Sequence, residues 1–410
     1  MKVSTMRQAD CLVGVPICFA LTVLRKFRDF LQLQKVQPVN IRRILFVKLA
    51  EQGATVLAYE ALRRAIEMVG RQNIYFLVFE QNRFILELMD VVPEQNAITI
   101  RTDGAGTLLT SAIRALRRLW KLRIDAAVDF EFFARSSAIL TYLSGAKVRV
   151  GFHSFAQEGP YRGDLMTHRL SYNPHIHTSQ TFRVMVEALN ASAENLPALN
   201  IDLPPAQSST PAFTPSSEEL EEFKAIIQTQ ACTANYSPLI LLNPNASDLL
   251  ALRRWPADRY VELAQRLIEA SPNVHVAFTG PPEEAGNADK LVRAVGSERC
   301  FSMTGKTTLR QLTTLYCLSD LLVTNDSGPA HFATLTPIQV ITLFGPETPK
   351  LFGANSPRTY IIWKNIPCSP CVNAYNNRWS ACNNNVCMQR ISVDEVFELS
   401  CRLCNLRKPS

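Results

Sequence analysis

A cluster of residues that can bind an anion follows a short apolar run in the second half of the chain. Leu321–Thr324 has the pattern of a buried strand and leads into Asn-Asp-Ser-Gly-Pro at 325–329, with a helix predicted to resume at Ala330. Proline suits the first helical position, and the exposed N–H groups of a helix start favour anions. We predict a phosphate site in this turn; the alternative is an ordinary strand–helix turn capped by serine. Its candidate residues are Asp326, Ser327, Gly328 and His331.

Two further polar loops follow predicted strands in the same half. Asn243–Ser247 follows one strand and precedes Arg253-Arg254-Trp255-Pro256, where a guanidinium can pair with phosphate oxygens. Thr279–Glu284 follows the next strand. The alternatives are solvated arginines beside a helix start, and acidic residues that only favour a helix dipole. The candidate binding residues are Asn245, Ser247, Arg253, Thr279, Gly280 and either Glu283 or Glu284.

Alternating strands and helices must position these loops, and the pattern predicts two α/β units with parallel sheets. The predicted strands are Ile44–Val47, Ile74–Phe79, Ala97–Ile100, Ala126–Phe130, Val148–Val150, Leu239–Leu242, Val274–Phe278, Leu321–Thr324 and Gln339–Leu343. The predicted helices include Thr55–Val69 and Glu218–Thr229. Neither unit carries G-x-G-x-x-G after its first strand, which argues against a dinucleotide oxidoreductase.

The length of 410 residues suits two domains joined by the Pro- and Ser-rich segment Leu203–Ser217. We predict an N-terminal segment, a first α/β domain, a linker with a connecting helix, a second α/β domain and a C-terminal tail. Their boundaries are 1–40, 41–202, 203–236, 237–396 and 397–410.

The net charge of +7 is concentrated at the N-terminus, beside an uncharged apolar run, Cys11–Leu24, that precedes Arg25, Lys26 and Arg28. A membrane span needs about 20 residues, and no cleavage site follows as in a signal peptide. We predict an interfacial helix or a re-entrant anchor on an anionic cytoplasmic leaflet. The alternative is a terminal helix packed on the protein's own core. This placement of charge argues against nucleic-acid binding.

Two more polar regions lie in the first domain. A helix with cations at 114, 117, 118, 121 and 123 is either a solvated face or a contact with anionic lipid or a phosphorylated acceptor. Four of the six histidines fall within 153–177 and indicate a polar binding loop, with a metal at His175-x-His177 as the alternative.

Four of the eleven cysteines are close together in a C-terminal loop, 368–387. Their spacing is compatible with a structural zinc, with free thiols or with disulfides. Ser392-x-x-Glu395 predicts a capping box at the start of a final helix. The four residues are Cys368, Cys371, Cys382 and Cys387.

The Asp326–His331 run, followed by Leu343-Phe344-Gly345-Pro346-Glu347, resembles glycosyltransferase family 9, the lipopolysaccharide heptosyltransferases. The likeness extends over about residues 42–396. It implies a GT-B fold, an α/β architecture of two Rossmann-like parallel-sheet domains facing a central cleft, with acceptor in the first and nucleotide sugar in the second. It further implies that backbone amides, Ser327 and His331 hold the diphosphate, that Arg253 replaces a family lysine, and that Glu283 or Glu284 faces the ribose.

The general base is where this sequence departs from the family. Members typically carry Arg-x-Ser-x-x-Gly-Asp after the first strand, and that Asp resembles the base. Aligning Lys48 and Gly53 with this motif places Ala54 at the position of the Asp, and alanine cannot accept a proton. Three alternatives remain: Glu51 is the base, Asp129 or Glu131 is the base, or no functional base exists. Asp129 and Glu131 can instead cap a strand end or pair with Arg135.

The resemblance implies a metal-independent inverting glycosyltransferase at the inner face of the plasma membrane. The expected donor is ADP-heptose, and the expected acceptor is a lipopolysaccharide core or another lipid-linked glycan. The alternatives are a transferase of the same fold that uses another nucleotide sugar for exopolysaccharide or O-antigen, and a non-catalytic nucleotide-sugar-binding protein.

Overall fold

The computed structural model describes residues 3–31, 40–156, 160–193, 203, 211–376 and 378–406. The strands are β1 (Ile44–Val47), β2 (Ile74–Phe79), β3 (Ala97–Ile100), β4 (Ala126–Asp129), β5 (Val148–Phe152), β6 (His168–Leu170), β7 (Leu239–Asn243), β8 (His275–Phe278), β9 (Cys300–Ser302), β10 (Leu321–Asn325), β11 (Gln339–Phe344) and β12 (Thr359–Trp363).

The helices of the first half are α1 (Val3–Leu12), α2 (Gly14–Phe30), α3 (Gln52–Leu57), α4 (Tyr59–Val69), α5 (Phe84–Met89), α6 (Ala105–Leu122), α7 (Arg135–Leu143) and α8 (Thr178–Glu187). Those of the second half are α9 (Ser217–Ala231), α10 (Ala257–Ala270), α11 (Ala285–Val295), α12 (Leu309–Cys317), α13 (Gly328–Phe332), α14 (Pro349–Phe352), α15 (Val386–Gln389) and α16 (Val393–Leu403).

The described strands form two six-stranded sheets, with orders β3-β2-β1-β4-β5-β6 and β12-β11-β10-β7-β8-β9. Every pairing within them is parallel. The central strands are apolar and buried on both faces, as expected when helices cover a parallel sheet. The prediction of two α/β units with parallel sheets is confirmed.

Alternate residues of β1 show how each strand serves two cores. Leu45 and Val47 join a cluster with Leu119 of α6 on one face of the first sheet. Phe46 packs against Phe76 and Phe130, and Phe130 stacks with the ring of Phe182 in α8. This alternation follows from the two-residue period of a strand.

Three strands, β6, β9 and β12, were not predicted from the sequence, and all three lie at sheet edges. Two are three residues long, and β12 is only partly buried, so their apolar signal is weak. The helix predicted over Thr55–Val69 is wrong in one respect, because two helices, α3 and α4, meet at Ala58. The capping box at Ser392 and Glu395 is confirmed.

The chain divides into two compact units: Met1–Ser209 with Asn373–Arg378, and Thr210–Val372 with Trp379–Ser410. The predicted segment 1–40 and first domain therefore fall within one unit. Residues 204–210 of the predicted linker lie outside the described residues. The tail predicted from residue 397 begins inside α16, whose Phe397 and Cys401 are buried in the second core.

Helices α1 and α2 are anchored to the first unit by specific contacts. Asp10 accepts hydrogen bonds from the backbone N–H groups of Arg135 and Ser136 at the start of α7 (3.1 and 2.8 Å). Arg25 of α2 forms an ion pair with Asp164. No helix among the described residues is long and apolar enough to cross a membrane.

Candidate functional site

Glu51 stands at the carboxyl end of β1, immediately before α3. Its backbone is left-handed, with φ 64° and ψ 71°, a conformation that costs a non-glycine residue free energy. The carboxylate forms ion pairs with Lys48 (3.3 Å) and with Arg378, and about a quarter (26%) of the side chain remains exposed. A residue with a strained backbone, whose carboxylate is fixed by ion pairs and partly exposed to solvent, is typical of a functional site.

Lys48 is buried between two carboxylates. Its Nζ donates to Oε2 of Glu131 (3.0 Å) as well as to Glu51. Burial works to lower the pKa of Lys48, but the charges of Glu131 and Glu51 outweigh it, so the pKa is raised. The other oxygen of Glu131 accepts the N–H groups of Leu49 and Ala50 (2.8 and 3.0 Å). Glu131 thereby fixes the loop that carries Glu51.

Asp129 is fully buried at the end of β4. One of its oxygens accepts Ser137 Oγ (3.0 Å) and pairs with the buried Arg162, and the other accepts the N–H of Glu131 (3.1 Å). Burial raises the pKa of Asp129 to about 6, although Arg162 opposes the shift. Among the two carboxylates predicted as catalytic, this burial favours Glu51 over Asp129 as a group that meets substrate.

The predicted ion pair of Asp129 or Glu131 with Arg135 is wrong. Arg135 pairs with Asp10 of α1 (3.4 Å), because α7 begins beside that helix. Asp129 instead pairs with Arg162, and Glu131 pairs with Lys48. Ala54 lies within α3.

In the second unit, polar side chains gather where β7 and β8 end. Asn243 Nδ2 donates to Thr279 Oγ1 (3.3 Å), and Asn245 Nδ2 donates to the carbonyl of Thr279 (3.1 Å). A Cβ added at Gly280 would lie 2.3 Å from Asn245 Nδ2. A methyl group at 280 would therefore displace the Asn245 side chain.

Arg253 lies beside two buried carboxylates. Its Nη1 is 3.3 Å from Glu347 Oε2 and 3.8 Å from Asp326 Oδ2. Asp326 follows β10, Glu347 follows β11, and the N–H of Asp326 donates to the carbonyl of Leu343 (3.0 Å). These contacts fix one guanidinium at the carboxyl ends of adjacent parallel strands, where α/β sheets bind ligands.

The Asp326–His331 turn differs in detail from its predicted form. The helix α13 begins at Gly328, so Pro329 follows the first helical position, and α13 ends at Phe332. Ser327 precedes the helix, but its hydroxyl does not cap it and instead donates to the carbonyl of Asn325 (3.1 Å). His331 is in the first turn, as predicted, and is buried.

The remaining predicted donor-side residues are more exposed. Ser247 and Glu283 face solvent. Glu284 is half-buried, lies 3.7 Å from Arg254 and accepts Asn287 Nδ2 (2.7 Å). Thr304 Oγ1 donates to the carbonyl of Phe278 (3.3 Å), which places the 302–305 segment beside the Thr279–Gly280 loop.

Sequence reasoning missed Asn325, a fully buried amide at the end of β10. Its Nδ2 donates to the carbonyls of Pro244 and Asn245 (2.9 and 3.3 Å). Its Oδ1 accepts the N–H of Trp255 (3.0 Å) and the hydroxyl of Tyr260 (3.2 Å). Asn325 thus ties the loop after β7 to α10. A lone polar residue at the end of an apolar strand was the available signal.

Among the described residues, no three His, Cys, Asp or Glu side chains are arranged to hold a metal ion. His177 caps α8 through Ser179 N (3.2 Å), which does not support the alternative of a His175–His177 metal site. None of the four cysteines of 368–387 forms a disulfide, and Cys371 Sγ is 3.4 Å from Ser380 Oγ. The structure supports neither the zinc nor the disulfide alternative for this loop.

Two parallel-sheet units with polar loops at their strand ends are the architecture of the GT-B fold. The sequence model described as glycosyltransferase family 9 (heptosyltransferase) matches residues 113–379, which is more than half of the chain. The chain belongs to this family.

Individual relatives agree with this assignment. Lipopolysaccharide heptosyltransferase 2 of Salmonella typhimurium is 28% identical over 268 residues, 64% of this chain and 72% of that protein. The Escherichia coli protein of the same name is 27% identical over the same shares. The structure of E. coli ADP-heptose lps heptosyltransferase II superposes with TM-score 0.66 at 19% identity, over 88% of this chain and 98% of that one. A family 9 structure from Veillonella parvula gives 0.68 at 16% identity, over 90% and 99%.

Proposed function

We propose that this enzyme transfers heptose from ADP-heptose, with inversion, onto a lipopolysaccharide core or another lipid-linked glycan. The relatives named for lipopolysaccharide heptosyl transfer support the transferred sugar and the acceptor class. The name of the similar E. coli structure, an ADP-heptose heptosyltransferase, supports the donor. The donor needs no metal cofactor in this proposal, because protein groups take the charge of the diphosphate.

The observation that carries the donor side is the placement of Arg253 between Asp326 and Glu347. Two carboxylates hold the guanidinium at the strand ends before any ligand binds, so it loses little side-chain freedom on binding. Its remaining N–H groups then contact a phosphate oxygen. Ser327 and His331 of the adjacent turn, with backbone amides, bind the rest of the diphosphate.

The proposed diphosphate-binding groups would also stabilise ADP as the leaving group of the reaction. Negative charge grows on the ADP diphosphate as its bond to the sugar breaks, and donors fixed in advance stabilise that charge. Asn245, Thr279 and Gly280 support the nucleoside side, and Glu283 or Glu284 accepts the ribose hydroxyls.

On the acceptor side we assign the general base to Glu51. Its carboxylate takes the proton of the acceptor hydroxyl, whose oxygen bonds to the anomeric carbon as the carbon–phosphate oxygen bond breaks. The electron pair of that bond leaves with ADP. Glu51 supports this role better than Asp129, since part of its side chain is exposed whereas Asp129 is enclosed by Arg162 and Ser137.

Because the proposed acceptor is anchored in lipid, we propose that the enzyme works as a peripheral protein at the inner face of the plasma membrane. The exposed apolar side chains of α2 support this part of the proposal.

The donor is tested by thermal stabilisation with ADP, UDP, GDP and CMP. Ligand at about a hundred times its Kd stabilises by about 2.7 kcal/mol, a shift that is easily seen. We expect a response to ADP that is lost in Arg253→Gln and in His331→Ala. Arg293→Gln is the matched control, because Arg293 is exposed on α11 of the same unit.

A response to UDP or GDP in place of ADP would refute ADP-heptose as donor and leave the fold and family intact. Transfer itself is measured as ADP release from ADP-heptose in the presence of a heptose-free lipopolysaccharide acceptor. Stabilisation by ADP without any turnover would contradict the proposed reaction.

A further inference from the structure

The first unit carries exposed apolar side chains on two helices that are far apart in sequence. On α2 these are Phe19, Val23, Phe27 and Phe30, which recur at the spacing of one helix face. Phe30 is 82% exposed. The opposite face of α2, with Gly14, Cys18 and Thr22, is buried. The helix therefore uses its small residues for the core and its large apolar residues for solvent, the reverse of an ordinary surface helix.

Helix α6 has a similar outer face. Leu109, Ile113 and Trp120 are exposed, while Ala115 and Leu119 are buried against the sheet. Trp120 is 56% exposed, yet its indole N–H donates to the carbonyl of Leu143 at the end of α7 (2.6 Å). The ring is thus held in place with most of its surface free.

Both helices lie beside α7. Trp120 of α6 donates to the carbonyl at the end of α7, and Leu119 of α6 and Leu140 of α7 belong to one core on one face of the first sheet. Helix α2 packs on α7, where Cys18 meets Ala138 and a Cβ at Gly14 would lie 2.7 Å from the Arg135 side chain. Packing on α7 therefore brings two helices with exposed apolar residues to the same part of the first unit.

Cations accompany both faces. Lys26 and Arg28 are exposed on α2, and Lys26 lies over the ring of Phe155 (4.8 Å). On α6, Arg114, Arg117 and Lys121 are exposed, and this helix contains no acidic residue. Phenylalanine and tryptophan flanked by Lys and Arg suit the boundary between headgroups and acyl chains. A positive face of this kind is complementary to anionic lipid.

We propose that the outer faces of α2 and α6 form one docking surface for an anionic lipid bilayer. The surface deepens the proposed function by naming the groups that bring the enzyme to its lipid-linked acceptor. Insertion of the apolar side chains supplies affinity for any bilayer, and the cations add a preference for anionic lipid.

The test is cosedimentation of the full-length protein with vesicles of phosphatidylcholine alone or of phosphatidylcholine with phosphatidylglycerol added, which makes the surface anionic. We expect tighter binding to the anionic vesicles.

Phe19→Ser and Phe27→Ser should each weaken binding about tenfold on both vesicles. Arg114→Gln, Arg117→Gln and Lys121→Gln should each weaken binding about fivefold on anionic vesicles only. Ile361→Ser, an exposed apolar change in the second unit, is the control and should change nothing.

Binding that is unaffected by the α2 and α6 substitutions would overturn the proposal. So would a concentration-dependent dimer that Phe27→Ser disperses without lipid, since the surface would then bind a second copy. Urea unfolding reports the fold of each variant. Transfer to a lipid-free acceptor fragment separates the two proposals, because it should persist in the surface variants and would be absent if the proposed reaction were wrong.

Discussion

Arg378 forms an ion pair with Glu51, a residue 327 positions earlier in the chain. The segment Asn373–Arg378 belongs to the first unit, although the residues on both sides of it belong to the second. Tyr375 anchors this segment by donating to the carbonyl of Tyr172 (2.8 Å) and stacking with Phe133. The segment Asn373–Arg378 thus supplies a cation that holds the proposed base, Glu51.

Glu51→Gln removes the proposed base and keeps the size of the side chain. We expect kcat to fall by about 100- to 10,000-fold, the usual contribution of a general base. Stabilisation by ADP should be unchanged, because the donor groups lie in the second unit. Glu67→Gln, an exposed change on α4, should have no effect. Full turnover in Glu51→Gln would exclude this residue as the base.

Arg378→Gln should remove one of the cations that hold Glu51. We expect kcat to fall while KM for ADP-heptose stays constant, because Arg378 acts by positioning the carboxylate. Arg378→Lys should recover part of the loss, since the charge is kept and the forked geometry is not. Arg63→Gln on α4 is the control. A rise in donor KM with constant kcat would show that Arg378 serves the donor instead.

Asp129→Asn leaves the buried Arg162 without its carboxylate and should destabilise the protein by about 3–5 kcal/mol. The effect should depend on pH. The folded-state pKa of Asp129, about 6, is above the ordinary value of 3.8, so the folded protein binds this proton more tightly than the unfolded chain. The stability gained from this protonation is complete below pH 3.8 and is lost as the pH rises through 6. Urea unfolding should therefore show a larger difference from wild type at about pH 5 than at about pH 7.5.

The exposed Asp90→Asn is the control substitution. Equal destabilisation by Asp129→Asn at both pH values would mean that the pKa of Asp129 is not raised. Partial recovery in the double variant Asp129→Asn with Arg162→Met would identify the unpaired cation as the cause of the loss.

Gly280→Ala should disturb the donor loops through a single methyl group. The new Cβ would lie 2.3 Å from Asn245 Nδ2, so Asn245 must move and lose its hydrogen bond to Thr279. We expect a loss of about 1 kcal/mol in stability and a weaker response to ADP. Gly286→Ala is the matched control, because nothing lies within 4 Å of its added Cβ and alanine favours its helix. An undiminished ADP response in Gly280→Ala would contradict the assignment of this loop.

Asn325→Ala removes a buried amide that makes four hydrogen bonds. Several buried groups lose their partners, and we expect a cost of about 3 kcal/mol. Binding of ADP should weaken as well, because the loop after β7 loses its attachment. Urea unfolding and ADP-induced stabilisation measure the two effects, with the exposed Asn273→Ala as control. Weak ADP binding without loss of stability would assign Asn325 a direct contact with the nucleotide.

The sequence by itself determined the two parallel-sheet units, the central strands and the loops at the ends of β7, β8 and β10. Buried parallel strands are continuous apolar runs, so their signal is local, and the polar residues after them mark the ligand-binding edge. The edge strands β6, β9 and β12 were missed because short or half-exposed strands carry little of that signal. The loop 325–331 was also found from local pattern, although the hydroxyl of Ser327 turned out to bond Asn325.

Tertiary structure alone decided which charges meet. Four ion pairs join residues that are 33 to 327 positions apart in the sequence. They are Lys48 with Glu131, Arg162 with Asp129, Arg253 with Glu347 and Arg378 with Glu51. It also brought α2 and α6 each into contact with α7. Spacing along the chain does not encode such relationships, because they depend on how separate helices and loops pack once the sheet has formed. The partners of a buried charge follow from that packing, since a charge removed from water must lie beside an opposite one.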